Sequence, residues 1–315
     1  MNIVSLFSGA GGMDLGFKEA GHKIVWANDV KKDCVNTYKL NLGDHIVEGD
    51  IRDITSESMP LCDAVIGGFP CQGFSQANMR KYPTDERNKL YLQFVRVVRD
   101  KRPRFFIAEN VRGILSYQKG EVLREILAAF SEEGYEVQHR LFNAADFGVP
   151  QNRLRVIFAG IRNDVFDGRF PFPTPTHSRL GGEQHQPWVT VSEALETIPE
   201  PESEHTLINH IYSKYKVTNR NFTGHRRTDP SKPAPTILAK DTGGNVALNH
   251  PRNHRRVSVR ESAILQTFPL DFEFTGQMGS MYRQIGNAVP PLFARKLGDA
   301  LANFEFQTRA AGQKD

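Results

Sequence analysis

A chain of 315 residues with a formal charge of +4 is long enough for one large α/β body carrying a smaller second domain, and no apolar run approaches the length of a bilayer span. Three cysteines (Cys34, Cys62, Cys71) and ten histidines without ligand spacing argue against a disulfide framework or a zinc site, so no metal is expected. The start, "MNIVSLFSGAGG", has no basic n-region and no small-residue cleavage site; it reads as a first core strand and points to a cytoplasmic protein.

In chain order, "NIVSLF", "KIVWAN", "HIVEGD", "DAVIGG", "RFFIAEN" and "RLRVIFAGI" are short, apolar and rich in Val and Ile, as strands are. Between them Leu90, Phe94, Val97 and Val98, and then Leu123, Ile126, Leu127 and Phe130, recur at helical spacing. Such alternation predicts an α/β sheet with helices on both faces. Near Phe170 the pattern breaks at "RFPFPTPTH", a Pro-rich candidate linker, and the chain to about residue 258 is loop-rich. Regularity returns with "RESAILQTFP" and a last helix in which Phe293, Leu297, Leu301 and Phe304 share a face. The expected division is residues 1–172 as the main body, 173–262 as a small domain, and 263–315 as a hinge and a segment returning to the body.

The charge is unevenly spread. Between His210 and Arg260 eleven Lys or Arg accompany only Asp229 and Asp241, a local +9 that leaves −5 on the rest, so this stretch predicts a polyanion-binding face.

Candidate chemistry gathers at strand ends. The loop "FSGAGG" follows the first strand and precedes a helical segment, where glycines and free helix N–H groups accept a ligand. Asp29 follows Gly9 by twenty positions, and Asp50 ends the next strand-like run, the pattern of carboxylates that grip a ribose. The glycines lack both the G-x-G-x-x-G spacing and a P-loop lysine, so a nucleoside with a small charged tail, such as S-adenosylmethionine, fits at least as well as a dinucleotide. Cys71 follows "DAVIGGFP" at the carboxyl end of the fourth strand, the ligand edge of an open sheet; a lone cysteine there is a nucleophile or a buried filler. Glu109 closes the next strand as a candidate general acid, with a helix cap or an ion pair as the plainer alternative. Arg153 and Arg155, two apart at a strand start, fall on one face and could bind a carbonyl or a phosphate.

In this order the segments resemble the DNA cytosine-5 methyltransferases of bacterial restriction–modification systems, over nearly the whole chain. "FSGAGGMDLGF", "GGFPCQGFS", "ENV", "QNRLRV", "RESAILQTFP" and "YRQIGNAVPP" are similar to six ordered motifs of that family, and the basic stretch lies where the family keeps its target-recognition domain. The resemblance implies a Rossmann-like S-adenosylmethionine methyltransferase sheet plus a smaller loop-rich target-recognition domain. It implies that Cys71 attacks C6 of a cytosine, that Glu109 serves N3 and the exocyclic amine, and that Arg155 holds the carbonyl with Arg153 beside it. The cofactor, released as S-adenosylhomocysteine, would be held by Phe7, Ser8, Gly9, Ala10, Gly11, Gly12, Asp29, Val30, Asp50, Ile51, Pro70, Leu90, Asn287, Ala288 and Val289. Family members usually carry glutamate at the position of Asp29 and often an aromatic residue at that of Val30.

Base flipping is expected, since a stacked cytosine cannot present C6 to a thiolate. Gln72, Ser75, Arg80, Lys81 and Arg87 would belong to a mobile catalytic loop that contacts phosphates. Arg220, Arg226, Arg227 and Lys240 are candidates for reading bases, and Thr236 in "PTILAKDTGG" for approaching the flipped nucleotide. The implied partner is double-stranded DNA, with a cognate restriction endonuclease possible, for a monomer bound to the bacterial nucleoid. Two rivals are a tRNA cytosine-5 methyltransferase of the same fold, whose relatives carry a Cys-Phe-Thr absent here, and a catalytically silent DNA-binding regulator, which would have no use for a nucleophile.

Overall fold

The computed structural model describes residues 1–70, 90–165, 168–214, 217, 227–239 and 248–311. Cys71, Gln72, Ser75, Arg80, Lys81, Arg87, Arg220, Arg226 and Lys240 lie outside the described residues.

Strands β1 (Asn2–Leu6), β2 (Lys23–Asp29), β3 (Ile46–Glu48), β4 (Ala64–Gly67), β5 (Phe105–Val111), β6 (Tyr135–Asn143) and β7 (Leu154–Arg162) form one seven-stranded sheet in the order β3-β2-β1-β4-β5-β7-β6. The first five run parallel and β7 is antiparallel to both its neighbours. The predicted mixed α/β sheet is what forms, with one strand more than its pattern shows. Edge strand β6 buries little beyond Tyr135 and Phe142, so it lacks the alternation that marks a strand in sequence.

Residues alternate between the two faces of the sheet, so Ile3, Ile66 and Ile107 point to one side, and Val4, Val65 and Phe106 to the other. The first side is covered by α1 (Gly12–Glu19), α2 (Lys32–Leu42) and, from the far end of the chain, α8 (Pro291–Ala311), which lays Phe293, Leu297 and Leu301 into the same core. The second side is covered by α3 (Tyr91–Lys101) and α4 (Glu121–Glu132), where Phe106 stacks on Phe130 with centroids 4.2 Å apart and Phe94 meets both edge-on.

The Pro-rich stretch after β7 is not a loose linker. Phe170 is buried, and its ring packs edge-on against Phe172 and Phe304, the latter on α8. Beyond it, β8 (His177–Ser178) and β9 (Gln186–Pro187) pair with each other and α5 (Val191–Ala194) is one turn long. A third apolar cluster joins Ala234, Ile237 and Val257 to α6 (Val259–Leu265) and α7 (Met278–Asn287), through Leu265, Tyr282 and Ile285.

Candidate active site

Strand order reverses between β1 and β4, and it is at such a switch point that an open α/β sheet leaves a crevice. The pairing Leu6–Gly67 and Gly67–Ala108 brings three strand ends to one line: the glycine loop, the turn that leads to Cys71, and Glu109.

The glycine loop is bolted to β2. Ser8 N donates to Asn28 O at 2.8 Å, Gly9 N donates to Asp29 Oδ2 at 2.9 Å, and Lys31 N donates to Asp29 Oδ1 at 2.8 Å. Phe7, Gly9 and Gly11 take positive φ (55°, 57° and 88°), the turn that delivers the chain to the N-terminus of α1. Burial pushes the Asp29 carboxyl up, against the bonds from the Lys31 and Gly9 amides. With the Val30 amide also bonded to it, the carboxylate keeps one acceptor site for a ligand. Val30 beside it is an exposed apolar side chain (56%), and Ile51 is buried close behind Asp50. Asp50 lies two residues beyond β3 and is grasped by Arg52, whose bonds hold its carboxyl below the usual range. Leu90 caps α3, and Asn287, Ala288 and Val289 close α7, with Asn287 exposed and Val289 buried.

Glu109 and Arg155 meet. Glu109 lies opposite Ile157 and Arg155 opposite Val111, so the two are diagonal neighbours on one face, and Arg155 Nε sits 2.6 Å from Glu109 Oε1. Both side chains are about nine-tenths buried, at 11% and 10% exposure. The ion pair read as the plainer alternative is therefore present, at the ligand edge. The turn after β4 touches it: a Cβ on Gly68 would stand 2.8 Å from Glu109 Oε2, and one on Gly67 would stand 2.1 Å from Leu6 O. Asn110 Nδ2 donates to Phe69 O at 3.2 Å, so the strand that carries Glu109 also holds the backbone two residues before Cys71.

Arg153 lies within electrostatic reach of Arg155 and Glu109, as expected, but its side chain is turned to the interior. It is fully buried and donates to Ile237 O (3.2 Å) and Gly286 O (2.8 Å), which makes it a brace between segments. It belongs to a hub with two buried glutamines. Gln151 accepts from Ile237 N at 3.0 Å and donates to Gln266 Oε1, while Gln266 Nε2 donates to Ala288 O at 2.6 Å. Thr236 Oγ1 donates to Asn152 O at 2.6 Å, which ties residues 234–237 alongside the approach to β7. The hub thus joins the strand bearing Arg155, the segment around Thr236, and the end of α7. Neither Asn110, Gln151 nor Gln266 stands out in sequence, because each acts on a backbone far away along the chain.

The basic stretch is only partly a surface. Arg227 is exposed, with one bond from Nη2 to Arg252 O at 3.2 Å. Arg255, Arg256 and Arg260 are buried: Arg255 pairs with Glu261 (2.6 Å) and Glu200 (2.9 Å), and Arg260 donates to three backbone carbonyls. These three leave the predicted polyanion-binding face.

Among the described residues no group of His, Cys, Asp and Glu is placed to hold a metal, and no helix is long and apolar enough to cross a membrane.

Comparison with known proteins identifies the family. The C-5 cytosine-specific DNA methylase family profile matches residues 1–303. The type II methyltransferase M.NgoFVII of Neisseria gonorrhoeae is 41% identical over 92% of this chain and 83% of its own length, and M.BspRI of Lysinibacillus sphaericus 37% over 96% and 82%. The crystal structure of a putative DNA modification methyltransferase from an E. coli prophage superposes with a TM-score of 0.75 at 25% identity, covering 96% of this chain and 99% of that one. The chain belongs to the C-5 cytosine-specific DNA methylases, and its activity is transfer of a methyl group to C5 of cytosine in DNA.

Proposed function

We propose that this chain modifies cytosine within a specific site of double-stranded DNA, with Cys71 as nucleophile and S-adenosylmethionine as cofactor. The observation that carries the reading is the buried Glu109–Arg155 pair set against the glycine turn that leads to Cys71. The bolted glycine loop fits a nucleoside cofactor: Asp29 keeps an acceptor site for a ribose, Val30 offers an apolar surface to an adenine, and Ala288 and Val289 stand against Gly12. When bound, the cofactor supplies an activated methyl group. Asp50 contributes only by exchanging or sharing its bond with Arg52.

The target base leaves the stack to reach this edge. Attack of the Cys71 thiolate on C6 forms an S–C6 bond and pushes electron density to C5 and N3. Glu109 stands where it can exchange a proton at N3, and Arg155 fixes its orientation while offering N–H groups to the cytosine carbonyl. Loss of the C5 proton after methylation then expels Cys71 by β-elimination. Residues 173–262, with Arg227 and Thr236 among those described, form the target-recognition part in this reading. The type II names of the relatives support a modification enzyme that protects a site from a cognate endonuclease.

Duplex DNA carrying 5-fluorocytosine tests the chemistry, because fluorine blocks the elimination. With S-adenosylmethionine the wild type should form a stable covalent complex and Cys71→Ala none; an unchanged complex in the variant would remove Cys71 from the reaction. Bisulfite sequencing of plasmid DNA from expressing cells reads out the recognised site.

A further inference from the structure

Behind the glycine loop lies a buried chain of hydroxyls that the proposed reaction does not use. Ser8 Oγ accepts from Asn28 N at 3.3 Å and donates to Ser5 Oγ at 2.9 Å, and Ser5 Oγ donates to Asp14 Oδ1 at 2.7 Å. From the other side Tyr38 OH donates to Asp14 Oδ2 at 2.8 Å and lies 3.0 Å from His45 Nε2. Ser5, Asp14 and Tyr38 are buried to 1% exposure or less. Two rows of donors therefore converge on one carboxylate, and that acceptor sets the direction of every hydroxyl between it and the loop.

We propose that Asp14, acting through Ser5, is a positioning residue for the cofactor loop, and that cofactor affinity falls when this carboxyl takes up a proton. The inference rests on the reading of the loop as the S-adenosylmethionine site. A protonated Asp14 must itself donate, yet both its oxygens face donors. With that proton on Oδ1, Ser5 turns its own proton back toward Ser8, which loses its bond to Ser5 Oγ as a donor and turns to the weaker contact with Ser5 O at 3.3 Å. The adjoining Ser8 N–H to Asn28 O and Gly9 N–H to Asp29 bonds, which shape the loop, lose their fixed support.

Burial lifts the Asp14 carboxyl to about 6, against the bonds from Ser5, Tyr38, its own backbone amide and Ser8, so the change falls within a practical assay range. A proton can arrive through a cavity of about 160 Å³ bordered by Asp14, Tyr38 and His45, with Lys18, Lys23 and His22 around it. Burial lowers both histidines, which favours their neutral forms, and raises the Tyr38 hydroxyl, which keeps its proton. Asp299 and Glu305 of α8 act on His22, and Lys18 of α1 on His45. Asp29 is the competing source of pH dependence, since its carboxyl is also raised by burial and faces the same loop.

Calorimetric titration with S-adenosylhomocysteine between pH 8 and pH 5 separates them. Wild-type affinity should be level above pH 7 and fall about tenfold by pH 5, as for a single group near 6 whose protonated form binds poorly. Asp14→Asn removes the titrating group and should bind with little pH dependence, while Ser5→Ala removes one of the two hydroxyl links between Asp14 and the loop and should lessen it. Tyr38→Phe removes a bond to the charged form and should move the midpoint upward. Folding is checked by circular dichroism, and a lessened decline in Ser5→Ala decides if Asp14→Asn does not fold. A decline that persists unchanged in Ser5→Ala and Asp14→Asn assigns the titration to Asp29 and overturns the proposal, as does level binding by the wild type. Binding at no pH would instead sink the cofactor reading, and the proposal with it.

Discussion

The sheet edge and the basic stretch use arginine in opposite ways. At the edge, Arg155 is paired with Glu109 and also donates to Leu154 O at 2.8 Å, a cation placed at the crevice. In the basic stretch Arg260 is fully buried on Ile208 O, Pro269 O and Phe272 O, at 2.7 to 3.0 Å, out of reach of DNA. Arg153 shows the same division inside one motif, two residues from Arg155 yet fully buried against carbonyls. Guanidinium geometry explains both uses, since its planar fork of donors satisfies several backbone oxygens as readily as it grips a carboxylate. A local excess of positive charge thus measures binding surface only after the buried arginines have been subtracted.

The sharpest way to break this contrast is Arg260→Ala. Three buried carbonyls would lose their partner, so unfolding by urea should show a loss of about 3–5 kcal/mol. A variant of wild-type stability would place Arg260 on the surface after all. Next in size is Gly68→Ala. Its Cβ would meet Glu109 Oε2 at 2.8 Å, and because Arg155 holds that carboxylate the strain falls on the ion pair and not on the core. Turnover should fall about 10²-fold, as for a misplacement near 1 Å, with little change in melting temperature. Equal loss of activity and stability would mean that the turn, and not Glu109, is what the glycine protects. The smallest effect is expected for exposed Arg227→Ala. Stability should hold while DNA affinity weakens by about 1 kcal/mol, the salt dependence loses about one phosphate contact, and cofactor binding stays as it was. Unaltered affinity across a salt titration would take Arg227 out of the interface.

Periodicity in the sequence was enough for the central strands because they are buried on both faces and read as nearly unbroken apolar runs. It failed for β6, which exposes Glu136 and Arg140 on one face and His139 and Leu141 on the other, and for the Pro-rich stretch, whose Phe170 and Phe172 find their core only when α8 returns. In the candidate site, the glycine loop and its Asp29 partner were legible because a tight turn needs glycine and a spacing of twenty residues spans one βαβ step. The Asn110 tether, the Gln151–Gln266 hub and the Asp14 chain were not legible, since each depends on which backbone or hydroxyl the fold brings within hydrogen-bond reach.

By itself the sequence determined the α/β alternation, the order of motifs, and the residue types at the ligand edge, all of which follow from local pattern and chemical identity. Only the tertiary structure decided that Glu109 is paired with Arg155, that Arg153 braces while its neighbour two residues on stays at the site, and that three arginines of the basic stretch are interior. The reason is that hydrogen-bond partners at long sequence separation are chosen by packing, and a side chain's charge is the same in sequence whether it ends in water or against a carbonyl.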